Sequence, residues 1–250
     1  MLLSFPMRLD VYLAESGILS SRTEAKRFID EGAVFVDGAQ IFKPSFDVSG
    51  LEDKVFVDKS LKQYVSRGGI KLKGALSSFG VDPHGKKCLD VGASSGGFTD
   101  CLLQEGAVHV IAVDSGSGQI SEVLRRDARV TVVENYNARY MKRADLEYIP
   151  ELAVMDVSFI SATYIIPSVF DVLADNGEFI CLIKPQFEVG RQGLGKGGIV
   201  KDAKARDMAV RRVVDFAATT GFSKLNLIQS PIKGGDGNIE FLAHFIKKGG

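Results

Sequence analysis

The chain has 250 residues, with 31 Lys+Arg balanced by 31 Asp+Glu, 45% hydrophobic and 25% charged. That is ordinary globular composition, long enough for one large domain and a small one. It excludes a fibrous or low-complexity chain and a strongly basic nucleic-acid binder, and no apolar run reaches the ~20 residues of a membrane span.

The opening MLLSFPMRLD is too short in its apolar part for a signal peptide and lacks the leading positive charges. Cys88, Cys101 and Cys181 lie in apolar segments without metal-ligand spacing, so buried free thiols and a cytoplasmic location are expected. The three histidines are scattered, which speaks against a His-based metal site.

From the start of the chain, Leu9, Tyr12 and Leu13 have helical spacing, with a stop at Gly17. A second helix begins at SSRTEAKRFIDEG, where Ser21 and Glu24 form a capping-box pattern and Gly32 ends it. AVFVDGAQIFKP then reads as two short strands around the hairpin turn Asp37-Gly38. Arg22 and Lys26 are four apart and share a helix face, with Arg27 beside them. Charge alone leaves that face either solvated or RNA-facing. Residues 1–60 hold 7 Lys+Arg and 10 Asp+Glu, so RNA contact there must come from local patches. One basic patch is Lys59, Lys62, Arg67, Lys71 and Lys73, with no acid between Lys59 and Lys73.

The stretches RLDVYLAESG, SSRTEAKRFIDEG and VFVDG resemble the alpha-L RNA-binding motif, named for ribosomal protein S-four, over about residues 7–53. The resemblance implies that the arginine-bearing face lies against structured RNA. The expected RNA-binding residues are Arg8, Arg22, Lys26, Arg27, Lys62, Arg67 and Lys196. The expected boundaries are an RNA-binding domain at 1–60, a linker at 61–66 and a second domain at 67–250.

From about Lys86, short apolar strands (KCLDV, VHVIAV, VTVVE, ELAVMD, EFICLIK, KLNLIQ, IEFLAHFI) alternate with helical stretches. This is the pattern of βαβ units and predicts an α/β fold with a mainly parallel sheet. Ligands bind such sheets outside the C-terminal ends of the strands, so the residues ending each strand are the ones to inspect.

The first strand runs into DVGASSGGFTD, and three readings of that turn compete. A dinucleotide site asks for G-x-G-x-x-G, but Ser94 stands where the second glycine would let a pyrophosphate approach. A hydrolase elbow asks for G-x-S-x-G, which Gly92, Ser94 and Gly96 supply, with Asp156 and His244 following in triad order. His244 sits within a strand-like run, however, and no oxyanion loop precedes the turn. The third reading takes Asp90, Gly92, Ser94, Gly96 and Gly97 as a loop for a ligand without phosphates. Asp114 ends the second strand, 22 residues past Gly92, where a carboxylate can accept both hydroxyls of an adenosine ribose. S-adenosylmethionine fits that reading best. The expected cofactor-binding residues are Asp90, Gly92, Ala93, Ser94, Gly96, Gly97, Phe98, Asp114, Asn137 and Asp156.

Further charges stand at strand ends: Asp156 after the fourth, Lys184 after the fifth with Pro185 stopping the pairing, and Glu240 before the last. Glu240 reaches the ligand face if that last strand runs antiparallel. Lys71 lies on a predicted helix ahead of the first strand. Each alone reads equally well as a solvated rim charge.

SRGGIKL, DVGASSGGFTD, MDVSFIS, IKPQFE with GKGG, and SPIKG…GNIEFL resemble the FtsJ-type ribose methyltransferases, and among them the TlyA group, also called haemolysins. The similarity runs over essentially the whole chain. It implies a Rossmann-like methyltransferase with a mainly parallel seven-stranded sheet behind a small α+β RNA-binding domain. It also implies a Lys–Asp–Lys–Glu tetrad at Lys71, Asp156, Lys184 and Glu240, and 2′-O-methylation of cytidines in ribosomal RNA. In chemical terms Lys184 would be the general base and Lys71 a second cation that favours its neutral form. Asp156 and Glu240 would orient the pair. The implied partners are ribosomal RNA and ribosomal subunits, with no membrane partner.

GRQGLGKG, from Gly190, falls one residue short of a phosphate-binding loop, since Gly197 replaces the Ser or Thr that would hold magnesium. It is expected to be a mobile basic loop over the RNA entrance. The alternative functions are a membrane-active haemolysin, suggested only by the group's other name, and the serine hydrolase weighed above.

Overall fold

The structure, a computed structural model, describes residues 6–59, 64–190, 193–234 and 237–249. The chain divides into two compact units, Met1–Ile70 and Lys71–Gly250. Residues 61–63 of the expected linker, Lys62 among them, lie outside the described residues.

The first unit holds helices α1 (Leu9–Glu15) and α2 (Arg22–Asp30) and a three-stranded sheet of β1 (Val34–Val36), β2 (Ala39–Gln40) and β3 (Val55–Val57). Strand order is β2-β1-β3, antiparallel throughout. The Asp37-Gly38 hairpin forms with both residues at positive φ, 50° and 76°, as a tight two-residue turn requires. Ser21 caps α2 by accepting from the Glu24 amide at 3.1 Å. The Glu24 carboxylate turns back to Ser20, taking its amide at 2.7 Å and its hydroxyl at 2.6 Å. Leu9, Leu13, Phe28, Ile29 and Val34 close the core between helices and sheet.

The second unit carries most of α3 (Gly68–Phe79) and a seven-stranded sheet. Its strands are β4 (Lys87–Val91), β5 (His109–Val113), β6 (Val130–Val133), β7 (Leu152–Met155), β8 (Glu178–Ile183), β9 (Phe222–Gln229) and β10 (Phe241–Lys247). The order is β6-β5-β4-β7-β8-β10-β9. Only β10 runs against the rest. The central strands are unbroken apolar runs because both faces are covered. Helices α4 (Gly97–Gln104), α5 (Glu122–Arg125), α6 (Ile166–Val172), α7 (Pro185–Glu188) and α8 (Ala203–Thr220) fill the connections. The helix expected over ISATYIIPSVFDVLADNG splits into a 3₁₀ turn, Ala162–Tyr164, and α6, because Pro167 can stand only in a helix's first turn.

The chain leaves β4 toward β5 on one side, while β7 pairs on the other. This reversal opens a crevice at the C-terminal ends of β4 and β7, where ligands of doubly wound sheets bind.

Candidate active site

The turn after β4 is built to lie against the end of β7. Gly92 has φ +83°, and a Cβ there would stand 2.4 Å from the Asp156 carbonyl oxygen. Gly96, at φ +94°, likewise abuts Leu124, where a Cβ would meet Cδ1 at 2.2 Å. Ser94 takes a left-handed φ of 48° and donates its amide to Asp114 Oδ2 at 2.8 Å. Gly116 donates its amide to Oδ1 of the same carboxylate at 2.7 Å. Two backbone donors thus fix Asp114 and leave each oxygen a lone pair for a further donor.

A cavity of about 520 Å³ opens above this turn. Gly92, Ser94, Asp114, Asn137 and Asp156 line it, all five expected from the sequence. Ala93, Gly97 and Phe98 are buried and shape the turn from beneath, and Gly96 packs on α5. Ser115, Gly116, Gln119, Tyr136, Ser158 and Phe159 also line the cavity and had no distinguishing signal beyond following a strand.

Asp90 lies within β4 and is fully buried. Its Oδ2 accepts the Thr99 hydroxyl at 2.6 Å, and its Oδ1 has no partner among the described residues. Burial raises its carboxyl to about 7, and the negative charges of Asp156 and Asp114 add to the rise. The residues lining the cavity include acids and no lysine or arginine. Such a wall repels a pyrophosphate and suits a cation with hydroxyls to donate. S-adenosylmethionine, with its ammonium, sulfonium and ribose diol, fits the acceptors that line the cavity, Asp114 and Asp156.

Beside the cavity the four expected catalytic residues form two ion pairs. Lys184, between β8 and α7, sets Nζ 2.5 Å from Asp156 Oδ1, out of line for a hydrogen bond, and donates to Ser158 Oγ at 2.7 Å. Lys71 on α3 reaches Glu240 Oε2 at 2.6 Å, both side chains being at least nine-tenths buried. The antiparallel register sets Phe241 against Ile183, so Glu240 and Lys184 stand at the same end of two neighbouring strands. Each lysine is thus matched by one of the two carboxylates expected to orient the pair, Lys184 by Asp156 and Lys71 by Glu240.

The hydrolase reading fails on geometry. Ser94 Oγ donates to Gln119 Oε1 at 3.1 Å. His244 pairs with Glu178 at 2.9 Å, and Glu178 begins β8, at the end of the sheet opposite the turn that carries Ser94. The thiols are no better placed as nucleophiles: all three are buried, and desolvation raises that of Cys88 to about 12 and that of Cys181 further. Lys196 sits on an exposed 3₁₀ turn, Lys196–Gly198, tied down by Asn238 through bonds to the Gly198 carbonyl (3.1 Å) and the Val200 amide (3.0 Å). That is not the strand-to-helix cradle of a phosphate loop, of which Arg191 and Gln192 lie outside the described residues. Among the described residues no helix is long and apolar enough to cross a membrane.

In the first unit, Arg8 and Arg22 converge on Asp10. Arg8 Nε meets Oδ1 at 2.9 Å, and Oδ2 takes Arg8 Nη2 at 3.1 Å and Arg22 Nη2 at 3.2 Å. Asp10 is fully buried while both arginines stay about half exposed. Burial raises the Asp10 carboxyl, but the two guanidiniums outweigh that and hold it below the ordinary value. Asp10 stands in the first turn of α1, where nothing in the sequence sets it apart. Lys26 is exposed on the α2 face that carries Arg22, Arg27 lies over the Phe28 ring, and Arg67 lies over that of Phe42.

The model of the FtsJ-like methyltransferase family matches residues 64–247, and that of the S4 domain matches residues 7–55. Among curated proteins, the 16S/23S rRNA (cytidine-2′-O)-methyltransferase TlyA of Mycobacterium tuberculosis is 39% identical, over 94% of this chain and 87% of its own. Hemolysin A of Brachyspira hyodysenteriae is 43% identical, over 96% of this chain and 100% of its own. A solved structure from Streptococcus thermophilus, provisionally called a hemolysin, superposes with a TM-score of 0.75 at 41% identity, covering 97% of this chain and 89% of that one.

Proposed function

The chain belongs to the FtsJ-like methyltransferase family and carries an S4 domain, and on that premise we propose that it methylates the 2′-oxygen of a cytidine ribose in ribosomal RNA. The observation that carries this reading is Lys184, held by Asp156 and Ser158 at the rim of an acid-lined cavity. S-adenosylmethionine, when bound, supplies an electrophilic methyl group on its sulfonium. Asp114 would hold its ribose hydroxyls, and Asp156 its positive charge, with Asp90 shaping the turn from within β4.

A ribose hydroxyl is a poor nucleophile until its proton is taken. Lys184, in its neutral form, accepts that proton at Nζ, and Asp156 balances the ammonium that results. Lys71, kept in place by Glu240, sets a buried cation at the same site, where it favours negative charge developing on the oxygen. The remaining requirement is alignment, which the placing of Lys184 and Glu240 at the same end of neighbouring strands supports. The first unit would dock structured RNA through Arg8 and Arg22, which Asp10 pre-sets, and through Lys26.

The test is methyl transfer from labelled S-adenosylmethionine to separated ribosomal subunits, followed by mapping of the modified nucleotide. Lys184→Ala is expected to keep cofactor and RNA binding while transfer falls at least ~10²-fold, the low end for a general base. Transfer by that variant at a near-normal rate overturns the assignment. The haemolysin names of some relatives point to a different activity, and leakage of liposomes by the purified chain without RNA would favour it.

A further inference from the structure

Glu240 is held by more than Lys71. Its Oε2 takes Lys71 Nζ at 2.6 Å, and its Oε1 takes the side-chain amide Nε2 of Gln186 at 3.1 Å. Gly234 closes another side, since a Cβ there would stand 2.5 Å from Oε1. Gln186 lies on α7 two residues beyond Lys184, in a first turn stiffened by Pro185. One short rigid element therefore carries Lys184 and also grips the carboxylate that holds Lys71.

We propose that Gln186 is a positioning residue for methyl transfer: its amide N–H fixes the Glu240 carboxylate and so registers the Lys71–Glu240 pair against the Lys184–Asp156 pair. This rests on the reading of those four residues as the catalytic group. The chemistry of the position supports it. Gln186 Oε1 is buried without a hydrogen-bond partner among the described residues, a cost that an apolar side chain would avoid. A position that keeps an amide at that cost is one where the donor matters. A cation here would compete with Lys71 for Glu240, and a carboxylate would repel it. A neutral donor is the side chain that satisfies Oε1 and leaves Oε2 to Lys71. Other charges near this position are Lys184 with Asp156 at the head of α7, the buried Glu188 at its foot, bonded to Ser161 and the Ala162 amide, and the exposed Lys233 beside Gly234.

The experiment uses the full chain, labelled S-adenosylmethionine and ribosomal subunits, with Gln186→Met and Gln186→Glu beside Lys184→Ala. Gln186→Met is expected to lower kcat by about 10- to 100-fold, the range seen when a partner that orients a working side chain is removed. Its KM for RNA and its cofactor affinity should stay within about twofold, since uniform binding is untouched. Gln186→Glu sets two carboxylates together, a pair that takes up one proton as pH falls. The protonated pair restores a donor to Glu240, so the ratio of variant to unaltered rate should rise at least about fivefold from pH 8 to pH 6. A general loss of structure gives no such rise. The proposal is overturned if Gln186→Met keeps kcat within about twofold of the unaltered chain, or if the Gln186→Glu ratio is flat with pH. Should Gln186→Met melt too low to assay, the Gln186→Glu ratio alone decides. Near-normal transfer by Lys184→Ala would instead remove the catalytic reading beneath the proposal, whereas an inert Lys184→Ala with a normal Gln186→Met removes only the role of Gln186.

Discussion

Replacing Gly92 by alanine tests whether the turn after β4 must touch β7. Two costs combine. The residue sits at φ +83°, and holding a side chain in the left-handed region costs roughly 1–2 kcal/mol. The new methyl would also meet the Asp156 carbonyl oxygen at 2.4 Å, a backbone atom that cannot swing aside. Relieving such overpacking costs about 1–3 kcal/mol in shifted backbone. Gly80 is the control: its φ is +68°, and a Cβ there meets nothing within 4 Å. Gly80→Ala should therefore lose only the first amount, and Gly92→Ala should be the less stable of the two by about 1–3 kcal/mol. Urea unfolding of the two variants measures the difference directly. Calorimetry with S-adenosylmethionine adds a second readout, because parting β4 from β7 widens the cavity that Gly92 and Asp156 share. An affinity loss of about tenfold or more is expected for Gly92→Ala, equal to 1.4 kcal/mol, with none for Gly80→Ala. Equal destabilisation of both variants would refute the close-approach argument.

Asp114→Ala removes the acceptor for the cofactor ribose and should weaken S-adenosylmethionine binding by ~1.5–3 kcal/mol, read by calorimetry; unchanged affinity rules out that placement. Changing Arg22 and Lys26 together to alanine should weaken RNA binding and flatten its salt dependence, with log–log slope reduced by roughly 0.7–0.9 per lost phosphate contact. An unaltered slope would return that helix face to plain solvent. Glu178, bonded to His244 and flanked by Lys86, has its carboxyl lowered from 4.5 to about 2. A depressed carboxyl contributes stability that is whole above the unfolded value and is lost as pH falls from about 4.5 toward 2. Glu178→Gln should show a smaller stability loss across that window than the unaltered chain in acid denaturation, and identical curves would oppose the argument.

The sheet was legible because strands buried on both faces read as bare apolar runs, and the intervening helical stretches left one economical topology. The turn at Gly92 and the acid at Asp114 were legible for a related reason: ligands bind such sheets at strand ends, so position alone marked them. Lys184, Asp156 and Glu240 were reached in the same way. Their pairing was not, since Lys71 and Glu240 meet across 169 residues and strand-end position does not say which carboxylate a lysine takes. Asp10 escaped because a first-turn acid on a short helix looks solvated until the fold buries it under two arginines. Gln186 escaped because a neutral amide has no charge or spacing to betray it. The hydrolase elbow misled because a G-x-S-x-G match specifies a turn and says nothing of whether a base can reach it.

The place of β10 between β8 and β9 bears on how the protein is made. A ribosome delivers β9 before β10, yet in this sheet β9 pairs with β10 alone. Until β10 emerges, β9 has no neighbour to join and one margin of β8 presents its unpaired N–H and C=O groups, an edge open to mispairing. The Lys71–Glu240 pair waits on the same event, because Glu240 is translated just ahead of β10. The sheet therefore closes, and the Lys71–Glu240 pair joins the Lys184–Asp156 pair, only once β10 is in place. A break in the message before β10 would release a chain with a nearly whole cofactor turn, an exposed sheet edge and an unmatched Lys71, a product for quality control to remove.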